Sequence, residues 1–461
     1  MIASGRLNIY LLVTAFSALA GCAQLPNVQY LKSAGGDFHP PTIVTAQGQL
    51  SREQSARAVA VLNAEANSRA LLQKHLTQEE EISGSPLVAG NNVILLQDGP
   101  KTYAAMGKAI RSAKDHINME TFTFDDDAVG RHFADLLLEK QLQGVQVNLM
   151  YDALGTLTTP DELFAPLKAA GGNVLVYNPV VAFDIRRLNE RDHRKLLIVD
   201  GITVITGGVN ISKVYSKNPL KKSKDSEETP PREGWRDTDV QIEGPAVAMF
   251  QQIFVDNWRR GNAEPLPERR YFPPLQNKGT LLVRGIDSRP GSEEYTVYKT
   301  FVSAFSHAKR SIHLTQAYFV PDEEILKSLT AAARRGVQVI LIVPSLSDSW
   351  PALNAGRSHY SELLKAGVEI YERTGAFLHA KTTIIDGVWS AVGSANMDWR
   401  SFLHNEEVLA VIVGQDFAKQ LETVFSKDIG ASRRVNLDEW KKRPLLARVK
   451  EWTARLIEYW L

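Results

Sequence analysis

From residue 93 onward the apolar positions alternate between two rhythms. Residues 93–97 form a short aliphatic run of strand type, and 103–113 carry apolar residues at helical spacing. Residues 117–124 return to the strand pattern, 129–143 to the helical one and 145–151 to strand. Alternating strand and helix predicts a largely parallel sheet covered on both faces. The same order recurs later, with strands at 279–283, 312–319 and 337–343 and helices at 295–308 and 325–335. Ala109-Ile110-Arg111-Ser112-Ala113-Lys114 matches Ala304-Phe305-Ser306-His307-Ala308-Lys309 loosely, and Gly144-Val145-Gln146-Val147 matches Gly336-Val337-Gln338-Val339. A tandem duplication explains both. The expected fold is α/β: two halves, each a mixed sheet flanked by helices, packed face to face with the functional site between them.

The flanks follow other patterns. Leu7 to Ala20 is an apolar run preceded by Arg6, the length of a signal-peptide core rather than a membrane span. It ends in Leu19-Ala20-Gly21-Cys22, which resembles the bacterial lipobox, so cleavage before Cys22 and lipidation of its thiol are expected. Ala23 rather than Asp in the next position favours the outer membrane. Residues 27–50 lack apolar periodicity and read as a tether, while Ser51-Arg52-Glu53-Gln54 looks like a capping box opening a helix that reaches about residue 82. The small apolar residues of that helix predict modest packing or a spacer role. Residues 217–232, with Lys221-Lys222-Ser223-Lys224 and Pro230-Pro231, predict a solvated loop, the alternative being an arm that binds headgroups. At the end of the chain Leu445, Val449, Trp452, Leu456 and Trp460 form one helical stripe amid Lys and Arg. Such a helix either lies in a membrane interface or docks on the protein's own core. The expected segments are therefore 1–21 signal peptide, 22–85 tether and helix, 86–270 first domain, 271–430 second domain, and 431–461 basic amphipathic helix.

Composition narrows the chemistry. The chain has 461 residues, 44% of them hydrophobic and 23% charged, with a formal net charge of +1. That is the balance of a globular protein, and it lacks the basic field of a nucleic-acid binder. Cys22 is the only cysteine, so a disulfide framework and a multi-cysteine metal site are both excluded. No H-E-x-x-H, Walker or dinucleotide-binding pattern occurs, so neither metal nor cofactor is expected.

One short grammar occurs twice. His193-Arg194-Lys195 leads through Leu196-Leu197-Ile198-Val199 to Asp200-Gly201, then Gly207-Gly208-Val209-Asn210. His379-Ala380-Lys381 leads through Thr382-Thr383-Ile384-Ile385 to Asp386-Gly387, then Gly393-Ser394-Ala395-Asn396. On a strand, each His and Lys would point to the same face. If the halves face each other, two His, two Lys and two Asn converge on one pocket. Lysine ammoniums and Asn amides suit the non-bridging oxygens of a phosphodiester, most strongly as charge builds in the transition state. One imidazole could then attack phosphorus while the other protonates the leaving alkoxide. Asp200 and Asp386 are expected to hold the strand turns.

The paired H-x-K-x-x-x-x-D motifs resemble the phospholipase D superfamily, and their surroundings resemble its bacterial cardiolipin synthases. The likeness includes Arg191-Asp192, Trp235-Arg236-Asp237-Thr238-Asp239, the run from Ile242 to Val247, Arg334-Arg335-Gly336-Val337 and the run from Ala366 to Glu372, and it spans roughly residues 90–461. It implies a phosphohistidine intermediate, with His193 as nucleophile and His379 as general acid and then base. It also implies one His-orienting carboxylate per half, Asp237 in the first and Glu407 in the second, with Glu406 the competing choice beside Glu407. Ser394 is the better candidate for a side-chain phosphate contact, because Gly208 in the other motif has no side chain. Asp239 stands where those synthases commonly carry histidine, a position bearing on headgroup choice. Arg186, Arg187 and Arg191, interleaved with Phe183, Ile185 and Leu188, suggest either a surface for anionic headgroups or a solvated basic face.

The implied activity is transfer of a phosphatidyl group between two phosphatidylglycerol molecules, or from one lipid to phosphatidylethanolamine, at a membrane surface. Phospholipase D hydrolysis is the alternative, and a non-catalytic envelope lipoprotein is the reading from another class. Nucleic acid is not an expected partner.

Overall fold

The computed structural model describes residues 25–32, 39–66, 71–180, 189–217, 234–261, 263–292 and 294–461. The leader with Cys22, most of the charged loop, and Phe183, Ile185, Arg186, Arg187 and Leu188 lie outside those residues.

The first half builds its sheet in the spatial order Asn173–Tyr177, Gln146–Asp152, His116–Thr121, Leu196–Val199, Thr203–Gly207, Thr238–Glu243 and Leu87–Gln97. The second half repeats it with Glu369–Arg373, Gln338–Pro344, Ser311–Gln316, Lys381–Ile385, Trp389–Gly393, Asn405–Val413 and Leu281–Ser288. In each sheet only the first three of these strands run parallel; the rest pair antiparallel. Each sheet is mixed, as the expected fold has it, with fewer parallel pairings than the alternating pattern alone predicts. After the third βα crossover the chain re-enters at the free edge of the parallel triplet, where a tight turn joins the next two strands and so makes them antiparallel neighbours.

Strand Leu196–Val199 shows how the motif is anchored. Leu196 and Ile198 face the other half, packing with Val204, Val240, Ile384, Val392 and Ala410. Leu197 and Val199 point the opposite way, into the core under the outer helices with Phe133 and Leu137. A strand buried on both faces reads as an uninterrupted apolar run. The helices Val247–Arg260 and Gln415–Gly430 supply Phe250, Phe254, Phe417 and Leu421 to the core between the halves. Strand Leu87–Gln97 joins the two sheets, pairing through residues 92–97 with Thr238–Glu243 and through Val88 and Asn91 with Leu281–Ser288.

The N-terminal helical region is no spacer. Ser51 and Gln54 cap helix Arg52–Ala66 reciprocally, Gln54 N–H to Ser51 Oγ at 3.2 Å and Ser51 N–H to Gln54 Oε1 at 2.8 Å. Helix Leu76–Ser83 then drives Glu79 into the second half, where it pairs with fully buried Arg284 and accepts the Trp389 indole N–H at 3.1 Å. That buried ion pair makes the helix part of the body, a role its small apolar residues did not reveal.

The C-terminal helix Leu445–Arg455 lies against helix Trp350–Ser358. It docks through Ala454, beside Val320, Ala352 and Ala355, and through buried Glu451, which takes the Arg443 guanidinium at 2.6 Å. Of the apolar stripe only Trp460, beyond the helix, meets the body; Leu445, Val449, Trp452 and Leu456 stay exposed. No helix among the described residues is long and apolar enough to cross a membrane.

Candidate active site

Both motif histidines line one cavity of about 560 Å³ between the halves, together with Asn210 and Asn396. Neither His lies on its core strand as the alternation argument expects. The first motif's ladder starts at Leu196 and the second's at Lys381, so His193 and His379 sit in the links leading into them. Two short parallel bridges place these links. Arg191–Asp192 pairs with Asn405 and Glu406 of the other half, and Arg236 pairs with Leu378.

The bridges cross the orienting carboxylates between the halves. His193 Nδ1 lies 3.0 and 3.1 Å from the two oxygens of Glu407. His379 Nδ1 lies 2.7 Å from Asp237 Oδ2. With Nδ1 engaged, Nε2 of each ring is the nitrogen left for the cavity. Alternation along strand Asn405–Val413 separates Glu407 from Glu406. Glu406 points away, to Arg194 at 2.6 Å, Arg260 at 3.0 Å and the Tyr177 hydroxyl.

Each carboxylate is itself held. Glu407 accepts from the Ser394 hydroxyl, from Ser401 Oγ at 2.8 Å and from the Asn405 amide at 3.3 Å. Ser394 is fully buried and so serves Glu407 instead of making the phosphate contact expected of it. Its counterpart Gly208 faces Asp237 in the same way, and a Cβ there would come within 2.2 Å of Asp237 Oδ1. The difference between the two motifs is therefore steric: the Asp237 carboxylate fills the space that Ser394 occupies on the other side.

The electrostatics favour a neutral His193. Burial pushes its pKa down to about 4 against the attraction of Glu407, and the Lys195 ammonium adds to the lowering. Burial and Lys381 likewise lower His379, opposed by Asp237. Burial would raise Glu407 and Asp237, but the paired histidines and nearby lysines outweigh it and hold both below the usual carboxylate range. Burial lowers Lys195 to about 7 and Lys381 to about 8. Lys195 Nζ donates to the His193 carbonyl at 2.6 Å, and Lys381 Nζ donates to the His379 carbonyl and lies 3.1 Å from His379 Nδ1.

Asn210 accepts the Thr123 N–H at 3.2 Å and donates to the Tyr215 hydroxyl, which is 3.2 Å from His379 Nδ1. Asn396 reaches the cavity with its side-chain oxygen unpartnered among the described residues. Asp200 and Asp386 stand outside the cavity. Asp200 accepts the N–H groups of Lys114, Asp115 and His116, and Asp386 those of Lys309, Arg310 and Ser311, so each ties its motif turn to the start of a neighbouring strand. Asp239 is buried below the site, accepting from Thr102 Oγ at 2.8 Å, and does not line the cavity.

Several lining residues carry no motif. Arg191 belongs to no surface patch; it is buried, 3.5 Å from Asp152, and faces the cavity. Arg400, Asp348 and Asp398 join it, and burial raises the Asp398 pKa to about 7. Phe122, Tyr318 and Trp235 give the walls their apolar character, with the Phe122 ring edge-on to His193 at 5.1 Å between centroids. Asp398 follows the second motif closely enough to have been suspected. Arg400 and Asp348 had no such signal.

The family described as cardiolipin synthase, phospholipase D-like domain, matches residues 106–218 and 301–429, one segment around each motif. The chain is 35% identical to the major cardiolipin synthase ClsA of Bacillus subtilis (strain 168) over 373 residues, covering 80% of this chain and 75% of that one. The chain belongs to the cardiolipin synthase family. Another relative of this cardiolipin synthase-family chain is cardiolipin synthase 1 of Bacillus cereus, 31% identical over 423 residues, covering 89% of this chain and 81% of the relative. Among solved structures, the phosphatidylserine synthase of Haemophilus influenzae Rd KW20 matches with a TM-score of 0.64 at 13% identity, over 84% of this chain and all of that one. At that identity the match speaks for the fold alone: two phospholipase D-like halves.

Proposed function

We propose that this enzyme is a phosphatidyltransferase that joins two phosphatidylglycerol molecules into cardiolipin and releases glycerol, or joins phosphatidylglycerol with phosphatidylethanolamine. The observation that carries the reading is the crossed pair His193–Glu407 and His379–Asp237 opening on one cavity. In the first step neutral His193 Nε2 attacks phosphorus of one phosphatidylglycerol. The bond to the headgroup glycerol oxygen breaks, and His379 Nε2 gives that oxygen its proton. In the second step His379 takes the proton of a hydroxyl on the next lipid's glycerol, whose oxygen attacks the phosphohistidine and frees His193. Lys195, Lys381, Asn210 and Asn396 supply positive charge and hydrogen bonding for the phosphoryl oxygens, and Glu407 and Asp237 keep each ring in its tautomer. Donor and acceptor can bind in turn at one place, because the intermediate holds the phosphatidyl group between steps.

The leader ending at Cys22 supports attachment to the cell envelope as a lipoprotein facing the periplasm, with the outer membrane favoured.

Mass spectrometry of products from phosphatidylglycerol in mixed micelles tests the reading, with His193→Ala as control. Cardiolipin with matching glycerol, absent in the variant, is the expected result. Phosphatidic acid without cardiolipin would make water the acceptor and the protein a phospholipase D. No turnover with or without phosphatidylethanolamine would overturn lipid transfer.

A further inference from the structure

The C-terminal helix is mounted with its apolar side outward. Ala447, Glu451 and Ala454 share one face, and this face, with Glu451 and Ala454 buried, rests on the body. Leu445, Val449, Trp452 and Leu456 share the opposite face and are 75%, 47%, 62% and 67% exposed. A helix docking for its own stability would do the reverse, since burying large apolar side chains is what stabilises such contacts. Leu446 and Ile457 extend the exposed surface, and Trp350, exposed on the supporting helix, borders the groove lined by Leu446 and Ala447.

Charge completes the pattern. Residues 441–457 carry six Lys or Arg against one acid, Glu451, in a chain whose overall net charge is only +1. Arg448 and Arg455 flank the stripe on one side and Lys450 on the other, all exposed. The segment also reaches the active site. Trp460 and Leu461 line the catalytic cavity, and the Leu461 carbonyl accepts the Arg400 N–H at 3.2 Å. Ser349 and Ala352, at the start of the supporting helix, line it too.

We propose that Leu445–Arg455 is an interfacial helix that sits in the surface of a bilayer containing anionic phospholipid and holds the cavity mouth against that surface. This partner rests on the lipid-transfer reading of the site. Large apolar side chains enter the acyl boundary while the flanking cations meet the phosphates. A substrate lipid then passes from bilayer to cavity along Trp460 and Leu461 without crossing water.

The test uses the full chain with Cys22→Ser and one new cysteine, Val449→Cys or Leu456→Cys, carrying an environment-sensitive dye; Thr453→Cys is the flank control. Vesicles of phosphatidylglycerol and phosphatidylcholine should shift the dye at 449 and 456 to the blue and cut its quenching by iodide several-fold, with a smaller change at 453 and with pure phosphatidylcholine. In the otherwise native chain, Trp452→Ser with Leu456→Ser should lower turnover of vesicle substrate at least ten-fold. Turnover of a short-chain monomeric phosphatidylglycerol should stay within about two-fold. Dyes at 449 and 456 that remain as accessible to iodide with vesicles as without, or a double variant with undiminished vesicle turnover, would overturn the proposal. A native chain that ignores the monomeric substrate counts against lipid transfer itself, while the dyes still report on the helix.

Discussion

Glu407 of the second half hydrogen-bonds His193 of the first, and the return exchange gives His379 the carboxylate of Asp237. Neither half therefore contains a complete catalytic pair. The site exists only when both sheets are packed, which couples activity to the core between the halves.

The crossing makes a kinetic prediction. Glu407→Gln should impair the step that needs His193 as nucleophile, and Asp237→Asn the proton transfers of His379. Each should lower kcat by roughly 10²–10⁴-fold, the range spanned by lost orienting partners of catalytic histidines. Intact-mass detection of the phosphatidyl-enzyme during single turnover separates the two. Glu407→Gln should slow adduct formation, and Asp237→Asn should change its decay on adding acceptor lipid. Equal effects of both variants on formation and decay would argue against the assignment.

The histidines themselves should differ in kind. His193→Ala should form no adduct. Both His193→Ala and His379→Ala should cost roughly 10⁴–10⁶-fold in turnover, the range seen when one member of a catalytic triad is removed. An adduct found in His193→Ala and absent in His379→Ala would reverse the two roles.

The pH dependence follows from burial. His193, lowered to about 4, is neutral above that pH and lost as a nucleophile below it. Lys195 and Lys381, lowered by burial to about 7 and about 8, carry their ammonium charge below those values and lose it above. In the free enzyme kcat/KM should therefore rise through about pH 4, then begin to fall as His379, lowered below its ordinary value, loses the proton it gives the leaving oxygen. It should fall further from about 7 to 8 upward as the lysines lose their charge. No further fall up to pH 9.5 would mean that the lysine charge is not required.

Gly208 and Ser394 should not be interchangeable. Gly208→Ser drives a side chain into Asp237 and should destabilise the protein by about 1–3 kcal/mol as well as displacing the carboxylate that holds His379. Ser394→Gly removes a hydroxyl bonded to Glu407 and should cost about 1–3 kcal/mol while leaving reduced activity. Denaturant midpoints and kcat for the two variants check both statements.

Glu79→Ala tests whether the N-terminal helix belongs to the body. It leaves the fully buried Arg284 guanidinium without its carboxylate, so unfolding free energy should fall by about 3–5 kcal/mol. A urea midpoint within experimental error of the native one would make the helix an appendage.

What the sequence determined by itself is local. Strand and helix rhythms, the tandem repeat and the matched spacing of His193, Lys195 and Asn210 with His379, Lys381 and Asn396 are all carried by near neighbours in the chain, and so is the placing of Glu407 beside Glu406. The tertiary structure alone decided which carboxylate serves which histidine, across separations of 214 and 142 residues. It also decided that Ser394 supports Glu407, that Arg191 and Arg400 turn into the cavity, and that Leu445, Val449, Trp452 and Leu456 face outward while Trp460 lines the cavity. Each of these depends on where two distant segments meet, and that is set by packing the two sheets on one core. No periodicity along a single strand or helix carries that information.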